Sequence, residues 1–139
     1  MKKLLNLFGI LLLASIVFGA DISAQTAEEP ALLTSCGQSP GPVRLKIFMT
    51  RLSLDYDYNL MATVEDLKAR KEAGNPYKTI IIVTGASLKG MGAAGVSVDD
   101  ERKRTADQII DAKKQGITII GSHIEGMARR SAGAASGDN

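Results

Sequence analysis

The sequence has a single cysteine and a single histidine, and this scarcity limits both its covalent cross-links and its metal chemistry. Cys36 has no second cysteine with which to form an internal disulfide. His123 and Glu125 stand two residues apart, so on an extended segment they would point the same way and, with Cys36, supply three ligand types. No other residues have the spacing of a metal motif, and we predict that the chain binds no metal.

The chain also lacks an excess of charge of either sign. Residues 1–20 contain two lysines and no acidic residue, and removing them leaves 15 basic against 15 acidic residues. This balance gives no reason to expect a nucleic-acid partner. The short clusters Arg102-Lys103-Arg104 and Arg129-Arg130 are mixed with acidic residues and are typical of solvated surfaces.

No apolar run is long enough for an ordinary membrane-spanning helix. The stretch from Leu4 to Phe18 is shorter than the roughly 20 residues that a span needs. It follows Lys2-Lys3 and precedes small residues, which is the pattern of a secretory signal peptide. We assign residues 1–24 to this peptide, with cleavage between about Gly19 and Ala27. The pattern predicts an exported, periplasmic or extracellular protein that meets the membrane only during export.

After a polar linker at residues 25–30, residues 31–128 alternate strand and helix signals. Residues 79–84, TIIIVT, are continuous and β-branched, which is typical of a central parallel strand covered on both faces. Two further apolar runs lie at residues 31–35 and 117–120. We predict that residues 117–120 form a second buried strand. Residues 55–60 form a weaker edge strand.

Three helices are predicted between these strands. The first opens at Pro40-Gly41-Pro42, and its predicted buried face consists of Leu45, Phe48, Met49 and Leu52. The second and third begin at capping boxes, Thr63 to Asp66 and Ser97 to Asp100, and end near Ala73 and at Gly116. For the third helix we expect an Asp100–Arg104 pair and an apolar side formed by Ala106, Ile109, Ile110 and Ala112.

This alternation predicts an α/β fold. Crossovers of this length favour right-handed connections between parallel strands, so we expect a doubly wound, flavodoxin- or Rossmann-like three-layer sheet of about four strands. Residues 129–139 form a polar tail without apolar periodicity. Because no helix is predicted after the fourth strand, we expect a sheet that is incomplete at its C-terminal end. Either the chain is truncated, or a second copy or another partner covers the sheet.

Ligands of open parallel sheets bind beyond the carboxyl ends of the strands. Three loops rich in glycine and small polar residues leave those ends, at 35–41, 85–95 and 121–126. Two of them lead into helices whose N-terminal N–H groups suit an anion. We therefore predict a small anionic ligand, with candidate binding residues Ser35, Gly37, Gln38, Ser39, Ser87, Lys89, Gly92, Gly95 and His123.

Two nucleotide motifs are matched only in part. Residues 90–95, GMGAAG, fit G-x-G-x-x-G, but the match begins five residues after Gly85, and no acidic residue follows at the distance that the dinucleotide fingerprint needs. The spacing of Gly85 and Gly90 fits a P-loop, but Met91-Gly92 occupies the Lys-Ser/Thr positions. We predict no cofactor.

Two other kinds of function stay open. Cys36 lies between a strand and a helix N-terminus, where a thiolate is favoured, and is therefore a candidate catalytic nucleophile for phosphatase-like or acyl-transfer chemistry. Against this, Arg44 is eight residues after the cysteine rather than six, and Pro40 and Pro42 lack N–H donors. The third alternative is a structural or interaction subunit.

Three segments carry a resemblance to a known family. EPALLTSCGQSPG, YKTIIIVTGASLKGMGAAGVSVDDE and GITIIGSHIEG, within about residues 29–126, resemble a family of exported bacterial proteins catalogued only as a domain of unknown function. The resemblance implies a signal peptide and a compact α/β domain, with no established reaction and no catalytic residue. It also implies further helix and strand after the last strand. The chain departs from that pattern at Ser131, in agreement with a truncated chain.

Overall fold

The computed structural model describes residues 26–126, which form four strands and four helices. The strands are β1 (Ala31–Cys36), β2 (Tyr56–Tyr58), β3 (Thr79–Thr84) and β4 (Thr118–Ser122). The helices are α1 (Gly41–Arg51), α2 (Val64–Glu72), α3 (Leu88–Ala94) and α4 (Val98–Gln115). The signal peptide that we assign to residues 1–24 and the polar tail at 129–139 lie outside the described residues.

The strands form one parallel sheet in the order β2-β1-β3-β4, which confirms the predicted α/β fold. The chain runs from β1 outward to β2 and then crosses back to β3 on the other side of β1. Leu33 of β1 lies beside Tyr58 on one side and Ile81 on the other. The strand order therefore reverses between β1 and β3, where parallel sheets of this kind open a crevice.

Alternate residues of the strands point to opposite faces of the sheet, and each face has its own core. On one face Leu32, Ile80 and Ile82 pack with Leu67 of α2 and Ala112 of α4. On the other face Ala31, Leu33 and Val83 pack with Met49 of α1. Helices thus cover both faces of the sheet, which makes the fold doubly wound.

Two capping boxes begin α2 and α4, as the sequence predicts. The Asp66 carboxylate accepts from the Thr63 N–H at 2.7 Å, and the Asp100 carboxylate accepts from the Ser97 N–H at 2.9 Å. Because Asp100 is engaged by Ser97, the predicted Asp100–Arg104 pair is wrong. Arg104 pairs with Glu101 instead, at 3.0 Å.

The buried faces of two helices differ from the predicted ones. On the predicted face of α1, Met49 is buried, but Phe48 is 57% exposed, and Leu52, which follows the last residue of the helix, is 69% exposed. In α4, Ile110 is exposed, as is Ala106, and the buried residues are Glu101, Thr105, Gln108 and Ala112. Apolar periodicity predicts the wrong buried face for α4, because Glu101 and Gln108 are polar residues that are buried with their side chains hydrogen-bonded.

Two further elements depart from the sequence analysis. β4, predicted to be a buried strand, lies at the edge of the sheet that residues 26–126 form, and Ile119 and Ile120 are only partly buried. The glycine-rich stretch after β3 contains the short helix α3. Between residues 26 and 126, no helix is long and apolar enough to cross a membrane.

Candidate functional site

The loops that follow β1 and β3 are joined to each other beyond the ends of the strands. The Gly85 N–H donates to the Cys36 carbonyl at 3.0 Å, and the Ser87 N–H donates to the Gly37 carbonyl at 2.8 Å. Gln38 and Ala86 form an isolated antiparallel bridge. The two loops therefore make one rigid rim at the carboxyl edge of the sheet.

A cavity of about 210 Å³ lies at this rim, at the point where the strand order reverses. Its floor is the ends of β1 and β3, and its walls come from α3 and the first turn of α4. The lining residues are Cys36, Gly37, Thr84, Gly85, Ala86, Met91, Val98, Glu101 and Arg102. The cavity occupies the position at which doubly wound folds bind their ligands.

Glycine is required where the two loops meet. Gly37 has a φ of +97°, and a Cβ at this position would lie 2.5 Å from the Gly85 carbonyl oxygen. Any side chain at residue 37 would push the β1 loop away from the β3 loop. The absence of that side chain brings the two loops into contact and so forms the floor of the cavity.

The wall contributed by α4 is held to the β1 loop by the buried carboxylate of Glu101. One carboxylate oxygen accepts from the Gly37 N–H at 2.8 Å and from the Gln38 side-chain amide at 3.1 Å. Arg104 donates to both oxygens at 3.0 Å. Burial raises the pKa of Glu101, but the hydrogen bonds from Arg104, Gly37 and Gln38 together outweigh it and hold the pKa below its ordinary value.

Arg104 extends this network to the end of β1 and to the loop after β2. Its guanidinium donates to the Ser35 carbonyl at 2.7 Å and to the Ala62 carbonyl at 2.7 Å. Gln108 donates to the same Ala62 carbonyl. The side chain of Arg104 is only 11% exposed and that of Glu101 only 2%. The pair therefore joins α4 to the segments after β1 and β2, and fixes the geometry of the rim.

Several N–H groups in the predicted anion-binding loops already have partners within the chain. The Gly37 N–H donates to Glu101, and the Gln38 N–H donates to the Ser35 hydroxyl at 3.0 Å. The Gly41 N–H, at the start of α1, donates to the Glu125 carboxylate at 2.9 Å. These N–H groups, which could have donated to a ligand anion, thus donate to oxygen atoms of the protein instead.

The structure does not bring the nine predicted binding residues together in one site. Of these, Gly37 lines the cavity, together with the candidate nucleophile Cys36. Ser35 and Ser39 are buried beside it, and Gln38 turns its amide toward Leu60, Met61 and Glu101.

The remaining predicted residues lie farther along the chain. The Ser87 hydroxyl caps α3 by accepting from the Gly90 N–H at 3.1 Å. Lys89 and Gly92 are exposed on α3, and Gly95 ends that helix. The two ring nitrogens of His123 lie 3.0 Å from the Thr84 carbonyl and 3.2 Å from the Gly126 carbonyl.

Most of the residues that line the cavity were not predicted from the sequence. Met91, Val98, Glu101 and Arg102 come from α3 and α4, and α3 was not expected to be a helix. One signal was present in the sequence: Glu101, Thr105, Gln108 and Ala112 recur at the spacing of a single helix face. Polar residues on the buried line of a helix indicate a hydrogen-bonded network, because unpaired they would be costly to bury.

Arg102 is the cation of the cavity lining. Its side chain is 77% exposed and has one ion-pair contact, with Asp99 at 3.9 Å. Glu101, the other charged residue of the lining, has its carboxylate fully engaged by the protein. A ligand in the cavity would therefore meet a positive group at one point and largely apolar surface elsewhere.

The Cys36 thiol is not hydrogen-bonded to a candidate general base among the described residues. Within residues 26–126, no hydrogen bond joins its thiol to a basic side chain, and His123 bonds backbone carbonyls instead. The same residues contain no group of three or more histidine, cysteine, aspartate and glutamate side chains placed to hold a metal ion.

Comparison with known proteins gives one match. Residues 28–136 match the sequence model of a family described as "Domain of unknown function (DUF6305)". No curated protein and no solved structure matches the chain. The family description names no activity, so the function has to be inferred from the geometry of the site.

Proposed function

The chain belongs to the family described as a domain of unknown function (DUF6305), and we propose that it binds a small anionic ligand at the carboxyl edge of its sheet. The ligand occupies the cavity between the ends of β1 and β3, and Arg102 contacts its negative group. On this proposal the protein is a small-molecule binding domain.

The observation that carries the proposal is the position of the cavity. It lies at the reversal of strand order, and its lining comes from β1, β3, α3 and α4. The Glu101–Arg104 pair holds these walls together at a considerable desolvation penalty, since both side chains are almost completely buried. A buried network that fixes the walls of a cavity in this way is consistent with a binding site of defined shape.

Filling the cavity tests the proposal. Ala86→Leu adds a large side chain to the lining, whereas Ala106→Leu adds the same side chain to an exposed position of α4. A panel of small organic acids is screened by ¹H–¹⁵N NMR. We expect a hit to shift the amide signals of Cys36, Gly85 and Met91, and Ala86→Leu, but not Ala106→Leu, to abolish those shifts. Hits that bind both variants equally would place the ligand elsewhere and refute the proposal.

We also propose that the protein acts outside the cytoplasm. The support is the sequence of residues 1–24, a basic start followed by a short apolar stretch and small residues. Mass spectrometry of the protein from a periplasmic or secreted fraction is expected to find a new N-terminus between about Gly19 and Ala27. An intact Met1 in the membrane fraction would contradict export with cleavage.

A second candidate function uses Cys36 as a nucleophile, and it is favoured by one observation: Cys36 lines the cavity with a free thiol. In a phosphatase-like reaction the thiolate would attack phosphorus and release the alcohol, leaving a phosphocysteine. Incubation with p-nitrophenyl phosphate and mass spectrometry of the Cys36 peptide tests this. If the Cys36 peptide stays unmodified and the chain releases no more p-nitrophenol than Cys36→Ser does, the nucleophile function is wrong. Ligand binding is then the remaining candidate function.

A further inference from the structure

We infer that the ligand is a small monocarboxylate with a compact apolar body, and not a phosphate ester or a nucleotide. The inference rests on the proposed function, because it concerns the same cavity. It follows from how the protein uses its own anion-binding groups, from the chemistry and size of the lining, and from the single cation at its edge.

Two backbone N–H groups between β1 and α1 that could bind a phosphate are occupied by carboxylates of the chain. Phosphate sites of doubly wound folds rely on N–H groups of a glycine-rich loop and of the following helix N-terminus. Here Glu101 accepts from the Gly37 N–H at 2.8 Å, and Glu125 accepts from the Gly41 N–H at 2.9 Å. A phosphate at either place would be repelled by these carboxylates. The loop between β1 and α1 is therefore closed to a phosphate by the protein itself.

The lining that remains is mainly apolar. Side chains of Ala86, Met91 and Val98 form the walls, and Cys36 adds a thiol, which packs like a small hydrophobic group. Met91 is only 2% exposed and so gives the cavity a fixed wall. Such a surface favours a hydrocarbon or aromatic body, because a polar body would lose hydration without gaining hydrogen bonds.

The volume limits the size of the ligand. A cavity of about 210 Å³ is smaller than the roughly 300–1,000 Å³ pockets of drug-sized molecules. A dry cavity of about 150 Å³ takes benzene, so by proportion this one accommodates roughly eight or nine non-hydrogen atoms. A nucleotide, which is more than twice that size, could not be enclosed by this cavity.

Arg102 supplies one planar, bidentate donor for one carboxylate. Its contact with Asp99 is long, at 3.9 Å, and the Arg102 side chain is 77% exposed, so a carboxylate at the edge of the cavity can replace that contact. A fork of two parallel N–H donors matches the two oxygens of a carboxylate. The combination of an apolar body in the cavity and one carboxylate at Arg102 defines the ligand class.

Three probes of graded chemistry test the class. Benzoate has the apolar body and the carboxylate, benzamide keeps the body without the charge, and inorganic phosphate has charge without the body. Each is titrated into the full chain and followed by ¹H–¹⁵N NMR. We expect benzoate to shift the amide signals of Cys36, Gly85 and Met91. Benzamide should bind about tenfold more weakly, because it lacks the charge-assisted hydrogen bond. Inorganic phosphate should shift none of these three signals.

Two variants separate the charge of Arg102 from general electrostatics. Arg102→Gln should weaken benzoate binding about tenfold and leave benzamide unchanged. Lys103→Gln removes the same charge from the next residue, which pairs with Asp107 and does not line the cavity. It should leave both affinities within about twofold, as expected for a screened surface charge.

The outcomes distinguish the inference from the proposed function. If benzamide binds in the cavity as tightly as benzoate, the cavity is a site but the carboxylate class is wrong. If phosphate shifts the Gly37 and Gly41 amides, the phosphate exclusion is wrong. If no probe and no member of the organic-acid panel shifts cavity residues, the proposed function fails and the inference fails with it.

Discussion

At the scale of single residues, Glu101 is a buried carboxylate whose hydrogen bonds hold the site together. We predict that Glu101→Ala lowers the free energy of unfolding by about 3–5 kcal/mol, because it leaves the nearly buried Arg104 guanidinium without its counter-charge. It also removes the acceptor of the Gly37 N–H. Urea unfolding followed by circular dichroism measures the loss.

The control for this prediction is another acidic residue of the same helix. Asp107 pairs with Lys103 at 2.6 Å, but the Lys103 side chain is 78% and the Asp107 side chain 46% exposed. Asp107→Ala should therefore change the free energy of unfolding by less than about 1 kcal/mol. Equal losses in the two variants would mean that Glu101 contributes no more than a surface ion pair.

The pKa of Glu101 predicts how stability changes with pH. Because its pKa in the folded protein is below the ordinary value, the unfolded chain binds more protons in acid. The stabilisation is therefore complete above the unfolded pKa of about 4.3 and is lost as the pH falls through the folded pKa.

Comparison with Glu101→Gln isolates this contribution. Below about pH 4 the wild-type free energy of unfolding should fall more steeply than that of the variant, so the difference between the two narrows in acid. Asp100, whose pKa is also lowered by its bonds with Ser97, titrates in both proteins and cancels. Urea unfolding at pH 3–7 gives the two curves. Parallel curves would show that Glu101 does not titrate with folding.

At the scale of elements, α3 contains two glycines with opposite expected effects. A Cβ at Gly90 would collide with the Gln38 carbonyl oxygen, whereas a Cβ at Gly92 would meet nothing within 4 Å. We predict that Gly92→Ala raises the free energy of unfolding by roughly 0.5–1 kcal/mol, as expected for glycine in a helix. Gly90→Ala should lower it, because α3 must move away from the β1 loop.

Thermal unfolding of the two alanine variants measures both effects with the same chemical change. Gly90→Ala should also weaken any ligand binding in the cavity, since α3 carries Met91. Stabilisation by both alanines would show that α3 does not pack closely on Gln38. The pair also explains the GMGAAG motif, in which Gly90 serves helix–loop contact rather than phosphate binding.

Elements whose signals are local could be predicted from the sequence. The β-branched run of β3 and the Thr63 and Ser97 capping boxes depend on a few neighbouring residues, and the structure contains all of them. The buried faces of α1 and α4 depend on tertiary contacts. In α4, Glu101 is buried because its partners are Gly37 and Arg104, and an apolar count cannot identify such a residue.

The candidate site follows the same division. Parallel topology alone predicts that the loops after β1 and β3 meet, and their backbones are joined through Gly37 and Ser87. The walls of the cavity were not predictable, since they require α3 to be a helix and α4 to approach the β1 loop. Only the packed structure shows that Glu101 occupies the Gly37 N–H, which changes the expected chemistry of the ligand.

At the scale of the whole molecule, one flank of α1 leaves apolar side chains in solvent. Tyr56 of β2 bonds Thr50 at 2.6 Å, and Lys46 lies over the ring of Tyr58 at 4.6 Å, so this flank of α1 faces β2. Phe48 and Leu52 are exposed and lie on the opposite flank by helix periodicity. Because the strand order is β2-β1-β3-β4, the flank away from β2 is the one toward β4, whose Ile120 is only partly buried.

The edge of the sheet adds to this surface. β4 pairs only with β3 among the described strands. Edge strands usually resist association through proline or charged residues, and the β4 sequence TIIGS contains neither. Apolar side chains such as Phe and Leu forfeit roughly 1.5–3 kcal/mol each when they stay in water. We therefore expect this side of the molecule to bind a hydrophobic dye or to self-associate at concentrations where an ordinary small domain does neither.

The double variant Phe48→Ser and Leu52→Ser tests this expectation against a matched pair on the same helix. Val43 and Ile47 are each 49% exposed but lie on neither the buried face nor the β4 flank of α1. Changing Phe48 and Leu52 should remove most of the dye fluorescence and shift sedimentation toward the monomer. The free energy of unfolding should change by at most about 0.5 kcal/mol per exposed site. Changing Val43 and Ile47 to serine should leave association largely intact, because these side chains are not next to β4. A wild-type monomer that melts in one sharp transition without binding dye would show that the sheet is already covered and that no partner is needed.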